Sequence, residues 1–165
     1  MEVLPVREED LPEIFSLEQR IEGGAGAGID VLQARRQAFP DGFLAAWKTG
    51  CLVGYLESCL WNRENPQFDP HPDFFAAQHR ADGKILYIIF IGVALDYRRL
   101  GTASTLIKSI IPVARKYGAE RIQAVTRPHL LRLYTKLGFV ALREMPFFLP
   151  GLVDEFRLME LAVQD

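Results

Sequence analysis

Two arginines and two small residues stand together in the run Arg98-Arg99-Leu100-Gly101-Thr102-Ala103. An arginine side chain is a planar fork of donors that grips phosphate or carboxylate oxygens in pairs. Gly101 and Ala103 leave room for a ligand to approach the backbone. The amphipathic pattern that begins at Thr102 puts a helix N-terminus, with its partial positive charge, at the same place. Backbone N–H groups, the helix end and two fixed cations together make a cradle for a pyrophosphate. The bare pattern is common in proteins. It gains weight here from the buried strand before it and the helix after it. The bland alternative is a solvated basic face.

Other side chains invite a chemical reading. Tyr134, in Leu133-Tyr134-Thr135-Lys136-Leu137-Gly138-Phe139, shares a helix face with Leu130 and Leu137. It reads either as a proton donor or as a core aromatic with its hydroxyl at the edge. Glu57 lies between Tyr55 and Cys59 in an apolar stretch, so its carboxylate must be paired or must face a cleft. Base, substrate anchor and structural pair all fit that position. His71, Asp73, His79 and Asp82 fall in a long connection and read as loop-surface residues, with a role beside an acceptor site as the alternative. Gly24-Ala25-Gly26-Ala27-Gly28 has the look of a dinucleotide loop, but Ile29 stands where a glycine is needed and no strand precedes it. It reads as a flexible helix–helix link.

The elements that must position these residues follow from periodicity. Residues 2–6 read as an edge strand. Asp10 and Pro12 open a helix whose inward stripe is Leu11, Ile14, Phe15, Leu17 and Ile21. Asp30 is expected to cap a second helix, ended by Phe39-Pro40-Asp41-Gly42. Strands at 43–48 and 51–61 are joined by Thr49-Gly50, a hairpin signal. Residues 62–83 form a connection long enough to be functional or to carry its own helical turn. Residues 85–94 are continuously apolar, the mark of a central strand buried on both faces. A helix at 102–117, a strand at 121–125, a short helix at 128–137, and strands at 139–143 and 153–162 complete the chain. The expectation is an α/β chain: one domain over 1–165, a mixed twisted sheet of about six to seven strands, helices on both faces.

Composition excludes several classes. The chain has 165 residues, 19 basic against 21 acidic, and 49% hydrophobic residues. That is an ordinary globular balance, neither disordered nor globally basic as a nucleic-acid binder would be. The charge is unevenly placed. Residues 1–30 carry eight acids and two bases, and residues 96–145 three acids and ten bases. A basic block on a nearly neutral chain suits a local anionic ligand rather than a polyanion track. The longest apolar run, Ile85 to Leu95, is 11 residues, against about 20 for a membrane span. No signal-peptide pattern opens the sequence. Cys51 and Cys59, on one expected strand, would lie about 26 Å apart. That is beyond disulfide reach, and a reduced, cytoplasmic protein is expected. No Cys/His spacing suits zinc.

Arg98–Ala103 followed by Tyr134–Phe139 resembles the GNAT superfamily of N-acetyltransferases. The opening Val6-Arg7-Glu8-Glu9-Asp10-Leu11-Pro12 and the hairpin segment Leu52-Val53-Gly54-Tyr55 are similar to that family too. The resemblance covers nearly the whole chain. It implies an acetyl-CoA-dependent transferase, with coenzyme A as cosubstrate and no metal. It implies that the loop of Arg98, Arg99, Gly101, Thr102 and Ala103 wraps the pyrophosphate, that Ile91 and Val93 pair with the pantetheine arm, and that Tyr134 sits near the sulfur. Two departures stand out. Family members often carry an asparagine where Thr126-Arg127-Pro128-His129 begins the short helix. Many carry a glutamate base on the central strand, and residues 84–94 contain none.

Transfer of an acyl group to an amine has three demands. The amine must be neutral, and an alkylamine has a pKa of about 10.4. The carbonyl oxygen needs a donor, for which a backbone N–H near Val93 is the candidate. The departing sulfur needs a proton, for which Tyr134 is the candidate. Glu57 or an ordered water chain remains for the base. The acceptor pocket is expected among the first two helices, the 62–83 connection and residues 145–150. Their aromatics (Trp61, Phe68, Phe74, Phe75, Phe147, Phe148) suit an apolar pocket or a homodimer interface. The expected function is acetyl transfer to a small-molecule or peptide amine, without nucleic-acid or membrane partners. The alternative is a CoA-binding sensor or interaction module of the same fold, without efficient catalysis.

Overall fold

The computed structural model describes residues 1–66, 71, 74–146, 148 and 155–164. The elements run β1 (Glu2–Pro5), α1 (Leu11–Glu22), α2 (Ile29–Ala38), β2 (Phe43–Lys48), β3 (Cys51–Trp61), α3 (Phe74–Gln78), β4 (Ile85–Val93), α4 (Thr102–Lys116), β5 (Arg121–Thr126), α5 (Leu131–Lys136), β6 (Val140–Glu144) and β7 (Arg157–Ala162). The strands form a seven-stranded sheet in the order β1-β2-β3-β4-β5-β7-β6. Only β4 and β5 are parallel; every other neighbouring pair is antiparallel.

Side-chain alternation sorts the sheet into two faces. On one, Leu56 and Leu60 of β3, Leu86 and Ile88 of β4, and Ile122 and Ala124 of β5 meet the apolar stripe of α4: Leu106, Ile107, Ile110 and Ala114. On the other, Phe43, Ala45 and Tyr55 pack beneath Leu11, Ile14 and Leu17 of α1 and Leu32 of α2. Farther along that face, Cys59, Trp61, Ile85 and Tyr87 pack with Phe75 of α3. Because β3 and β4 are covered by helices on both sides, their sequences are apolar with little alternation.

Local chemistry sets the boundaries. Asp10 precedes α1 as expected, yet its carboxylate turns back to Arg7, accepting from the backbone N–H and Nη2, each at 2.9 Å. The expected cap at Asp30 is corrected: Gly28, in extended backbone, precedes α2, and Asp30 lies inside its first turn. The Thr49-Gly50 turn has both residues at positive φ (52° and 76°), the twist that a two-residue hairpin requires. The last strand starts at Arg157, later than residue 153; Glu155 and Phe156 are not in strand, and residues 153–154 lie outside the described residues.

Beyond Glu57, β3 has outrun its partner β2, whose register ends at Phe43. The connection after β3 fills in. Arg80 N–H donates to Leu60 O at 2.7 Å, and Leu60 N–H donates to His79 Nδ1 at 3.1 Å. His79 also stacks on Phe39, with ring centroids 4.9 Å apart. It is therefore a structural acceptor rather than a loop-surface residue, and burial holds its pKa below the usual histidine value. A histidine kept neutral by folding takes up its proton more readily when unfolded. Its penalty is absent above about pH 6.5 and grows as pH falls toward the depressed folded value. Urea unfolding should show a loss of stability on going from neutral to mildly acidic pH that is smaller in His79→Gln. An equal loss in both proteins would contradict this role.

Candidate functional site

The sheet opens where its parallel pair ends. The β4–β5 register runs from Ile85↔Arg121 to Ile88↔Ala124 and stops, while β4 continues to Val93 and β5 turns with β7 as far as Thr126. At the same level the β3–β4 register slips. Glu57 faces Phe90 and Ser58 faces Ile88, which leaves Ile89 as a bulge. Past the bulge, Ala94 N–H donates to Val53 O on β3 at 3.0 Å. By alternation the backbones of Gly92 and Phe90 also turn to β3, and those of Ile91 and Val93 turn into the gap left by β5. The Ile91 side chain packs with the α4-side core.

The gap leads to the arginine loop. A 3₁₀ turn at Leu95–Tyr97 hands the chain to Arg98, and Gly101, at φ 87°, precedes α4. Arg99 also takes positive φ, at 62°. The N–H groups of Arg99, Leu100 and Gly101 meet no backbone acceptor among the described residues. Helix geometry leaves those of Thr102, Ala103 and Ser104 without one as well. Arg98 and Arg99 are exposed, and no ion pair engages either among the described residues. Arg98 Nε reaches back to Val93 O at 3.3 Å. Thr102 is buried and its hydroxyl donates to Tyr97 O at 3.3 Å, so it offers the loop its backbone rather than its side chain. A cradle of outward N–H groups flanked by two exposed guanidiniums suits a pyrophosphate.

Tyr134 lies on α5, 5% exposed, edge-on to Phe139 at 5.2 Å in the α4-side core. Burial pushes its phenol pKa well up from the ordinary value. Thr126, at the end of β5, is buried with an Oγ1 that has no partner among the described residues.

Glu57 points to the opposite face, toward α1 and α2. It is 0% exposed, and its Oε2 accepts from Arg35 Nη1 of α2 at 2.7 Å. Arg35 also lies over the Phe75 ring, 5.2 Å from its centroid. Beside this pair is Glu18 of α1, 3% exposed, whose Oε1 accepts from Ala27 N–H at 3.0 Å. Burial, then the nearby Glu57 and Glu22 charges, raise its carboxyl pKa to about 7, against the pull of Ala27 N–H and Arg35. Glu18 and Arg35 were not legible as site residues by motif. The signal available was an acid inside the stripe Leu11, Ile14, Leu17, Ile21 and a base following Val31 and Leu32 on the inner face of α2.

A family model described as acetyltransferase (GNAT) family matches residues 8–139. The chain belongs to this family. No curated protein gives a significant match in sequence. Among solved structures, the GNAT-like decarboxylase GphF in complex with isobutyryl-CoA is similar over 99% of this chain and 100% of its own, at 18% identity and a TM-score of 0.85. The loading GNATL domain of CurA from Lyngbya majuscula is similar over 99% and 98%, at 15% identity and 0.84. The ribosomal-protein-S18-alanine N-acetyltransferase from Escherichia coli is similar over 99% and 94%, at 16% identity and 0.71. The GNAT fold is thus shared with proteins of differing named activities.

The remaining expected residues of this GNAT chain scatter. Asp82 is exposed and pairs with Arg80 at 3.4 Å; His71 is exposed. Asp73, Phe68 and Phe147 lie outside the described residues. Trp61 and Phe75 are buried with Tyr87, which stacks on Trp61 at 4.5 Å, so these aromatics form core rather than an open wall. Among the described residues no group of three or more His, Cys, Asp or Glu side chains could hold a metal ion. No helix there is long and apolar enough to cross a membrane.

Gly54 sets how closely β3, β4 and the start of α4 approach. A Cβ there would stand 2.8 Å from Gly92 O and 3.0 Å from Thr102 Cγ2. Gly54→Val should therefore lose about 1–3 kcal/mol of stability, the range for overpacking, in urea unfolding. A loss below that range would mean that the strand and helix yield easily.

Proposed function

We propose that the protein is a cytoplasmic N-acyltransferase that moves acetyl from acetyl-CoA to a primary amine by direct attack. The observation that carries this reading is the gap between β4 and β5, where the backbones of Ile91 and Val93 have no neighbouring strand, and which ends at the exposed cradle of Arg98–Ala103. Acyl-CoA is an extended molecule with a pyrophosphate at one end and a thioester at the other, and the gap with its cradle matches that order. Family membership supports the cofactor class.

In this reading Arg98, Arg99 and the N–H groups from Arg99 to Ser104 hold the pyrophosphate. Val93 and Ile91 pair with the amide-bearing arm. The thioester then lies toward the bulge at Ile89, so the N–H that donates to the carbonyl oxygen belongs to the Ile91 end of the strand, deeper than Val93. The Tyr134 hydroxyl, which like any phenol holds its proton at neutral pH, gives it to the departing sulfur. The acidic segment 1–30, eight acids against two bases, favours a cationic acceptor.

Thiol release from acetyl-CoA with a panel of primary amines tests the reading. Tight CoA binding with no release would favour a sensor module. Carbon dioxide release from malonyl-CoA without an amine would favour the decarboxylase chemistry named for GphF.

Acetyl-CoA should raise the melting temperature, and Gly101→Glu should abolish the rise by placing bulk and negative charge at the cradle. Gly101 has open space around its Cβ position but φ 87°. Gly101→Ala, which brings the backbone strain without the charge, should keep most of the ligand shift. An unchanged shift in a folded Gly101→Glu protein would place the ligand elsewhere.

Tyr134→Phe should keep the fold and the CoA affinity and lower turnover about a hundredfold, the lower end for general acid catalysis. The loss should shrink as pH rises toward the thiol pKa of about 8.5, where unassisted departure becomes easier. Wild-type turnover in a stable Tyr134→Phe protein would remove the residue from the mechanism.

A further inference from the structure

Three ionisable side chains from three elements meet on the sheet face away from α4: Glu18 of α1, Arg35 of α2 and Glu57 of β3. Their hydrogen bonds do not close. Arg35 Nη1 is used by Glu57 Oε2, and Glu18 Oε1 by Ala27 N–H. Glu18 Oε2, Glu57 Oε1, Arg35 Nε and the Tyr55 hydroxyl are buried with no partner among the described residues. Tyr55, two residues before Glu57 on β3, packs in the α1–α2 core with its ring against Gly92 and Phe90. Two carboxylates stand against one guanidinium, so with both ionised one negative charge is uncompensated in a buried place. Buried charge without a counterpart is strongly unfavourable, and a cation entering the cluster removes that penalty.

The position is apt. In the β3–β4 register Glu57 faces Phe90, beside the Ile89 bulge and just past Ile88, where β5 departs. The cluster is thus level with the inner end of the gap, about one or two strand spacings of 4.8 Å away from it. Over it lies the glycine-rich segment 23–28. A Cβ on Gly26 would fall 2.6 Å from Glu18 Oε1, so only glycine lets this segment close on the carboxyl.

We propose that Glu18 and Glu57 form the subsite for the acceptor's ammonium group, and that Glu18 Oε2 takes the proton that frees the amine to attack. This rests on the amine-acylation reading above. The donor left over, Arg35 Nε, suits an oxygen carried next to the amine. A ligand reaches Glu18 by displacing the 23–28 segment. The proton count balances. One ammonium proton passes to Glu18, the nitrogen forms its bond to carbon and the carbon–sulfur bond breaks. The sulfur takes the Tyr134 proton, the acylated nitrogen sheds a proton that restores Tyr134, and Glu18 releases its own to solvent. Each turnover yields amide, thiol and one proton.

The groups facing Glu18 are Glu22 on its own helix, Glu57 on β3, Arg35 on α2 and the Ala27 N–H. With its carboxyl at about 7, Glu18 exists in both forms near neutrality, and a bound cation shifts it toward the ionised form.

The probe is glycinamide, a primary ammonium with a neighbouring carbonyl, added to the CoA-saturated protein. Carboxyl ¹³C NMR, with Glu18 assigned by Glu18→Gln, should show the Glu18 titration midpoint falling when glycinamide is present. Glu18→Gln and Glu57→Gln should each weaken glycinamide binding about tenfold to a hundredfold, the scale of one charged hydrogen bond, with CoA affinity unchanged. A Glu18 midpoint that glycinamide does not move in the wild-type protein overturns the proposal, whatever the variants do. In turnover, the acid limb of kcat/KM near neutrality should be present in wild type and absent in Glu18→Gln. Thiol release by Glu18→Gln at the wild-type rate and with the same limb sinks the subsite and leaves acyl transfer standing. Glycinamide that shifts Glu18 but releases no thiol keeps the subsite and sinks acyl transfer.

Discussion

Everything in this molecule that bears on ligand binding depends on β4 losing one of its two neighbours partway along. A strand in the middle of a sheet needs hydrogen bonds on both edges, and buried backbone groups left without them are costly. After Ile88, β5 leaves with β7, and β4 goes on alone on that side to Val93. The bulge at Ile89 changes which edge each residue shows, so the segment past it keeps its bonds to β3 while turning Ile91 and Val93 outward. The fold therefore leaves beside Ile91 and Val93 an edge with no neighbouring strand.

The two sheet faces divide the electrostatics. On the α4 side the basic groups of the loop stand in solvent, where they are cheap to keep. On the α1–α2 side Glu57 is buried and paired with Arg35, with Glu18 buried beside them. The far end of α4 is fastened separately: Asp41 accepts from Lys116 Nζ at 2.6 Å and from the Tyr117 hydroxyl at 2.8 Å, which holds the Asp41 carboxyl below its ordinary pKa. With its C-terminal end anchored and its stripe buried, α4 presents its first turn as a rigid platform.

Local pattern was enough to read much of this. The apolar run from Ile85, the stripe of α4, the Thr49-Gly50 turn and the arginine loop each depend on residues close in sequence. What could not be read depends on partners far away. That β7 inserts between β5 and β6 is decided by pairing over long loops. The opening beside Ile91 exists only because of where β5 goes. Glu57 was visible as a buried acid, but its partner Arg35 lies 22 residues earlier on another element. His79 looked like loop surface because nothing local says that β2 ends early and leaves Leu60 needing an acceptor. Glu18 interrupts an apolar stripe, a sign that periodicity counting passes over because it scores the apolar positions alone.

The outer margins of the sheet carry a different lesson. β1 is four residues long and ends at Pro5, which has no N–H to offer. β6 is exposed along its whole length, with Val140 and Leu142 open to solvent, yet it carries Arg143 and Glu144 and a register shift against β7. Short length, proline, charge and irregularity are the means by which sheets discourage unwanted chains from adding on. This protein thus blunts both of its outer margins and leaves the invitation in the middle. On the function proposed above, the place where a further strand could be added is the gap beside Ile91 and Val93, filled by a small molecule carrying amides of its own, while the two outer strands are left unattractive to another chain.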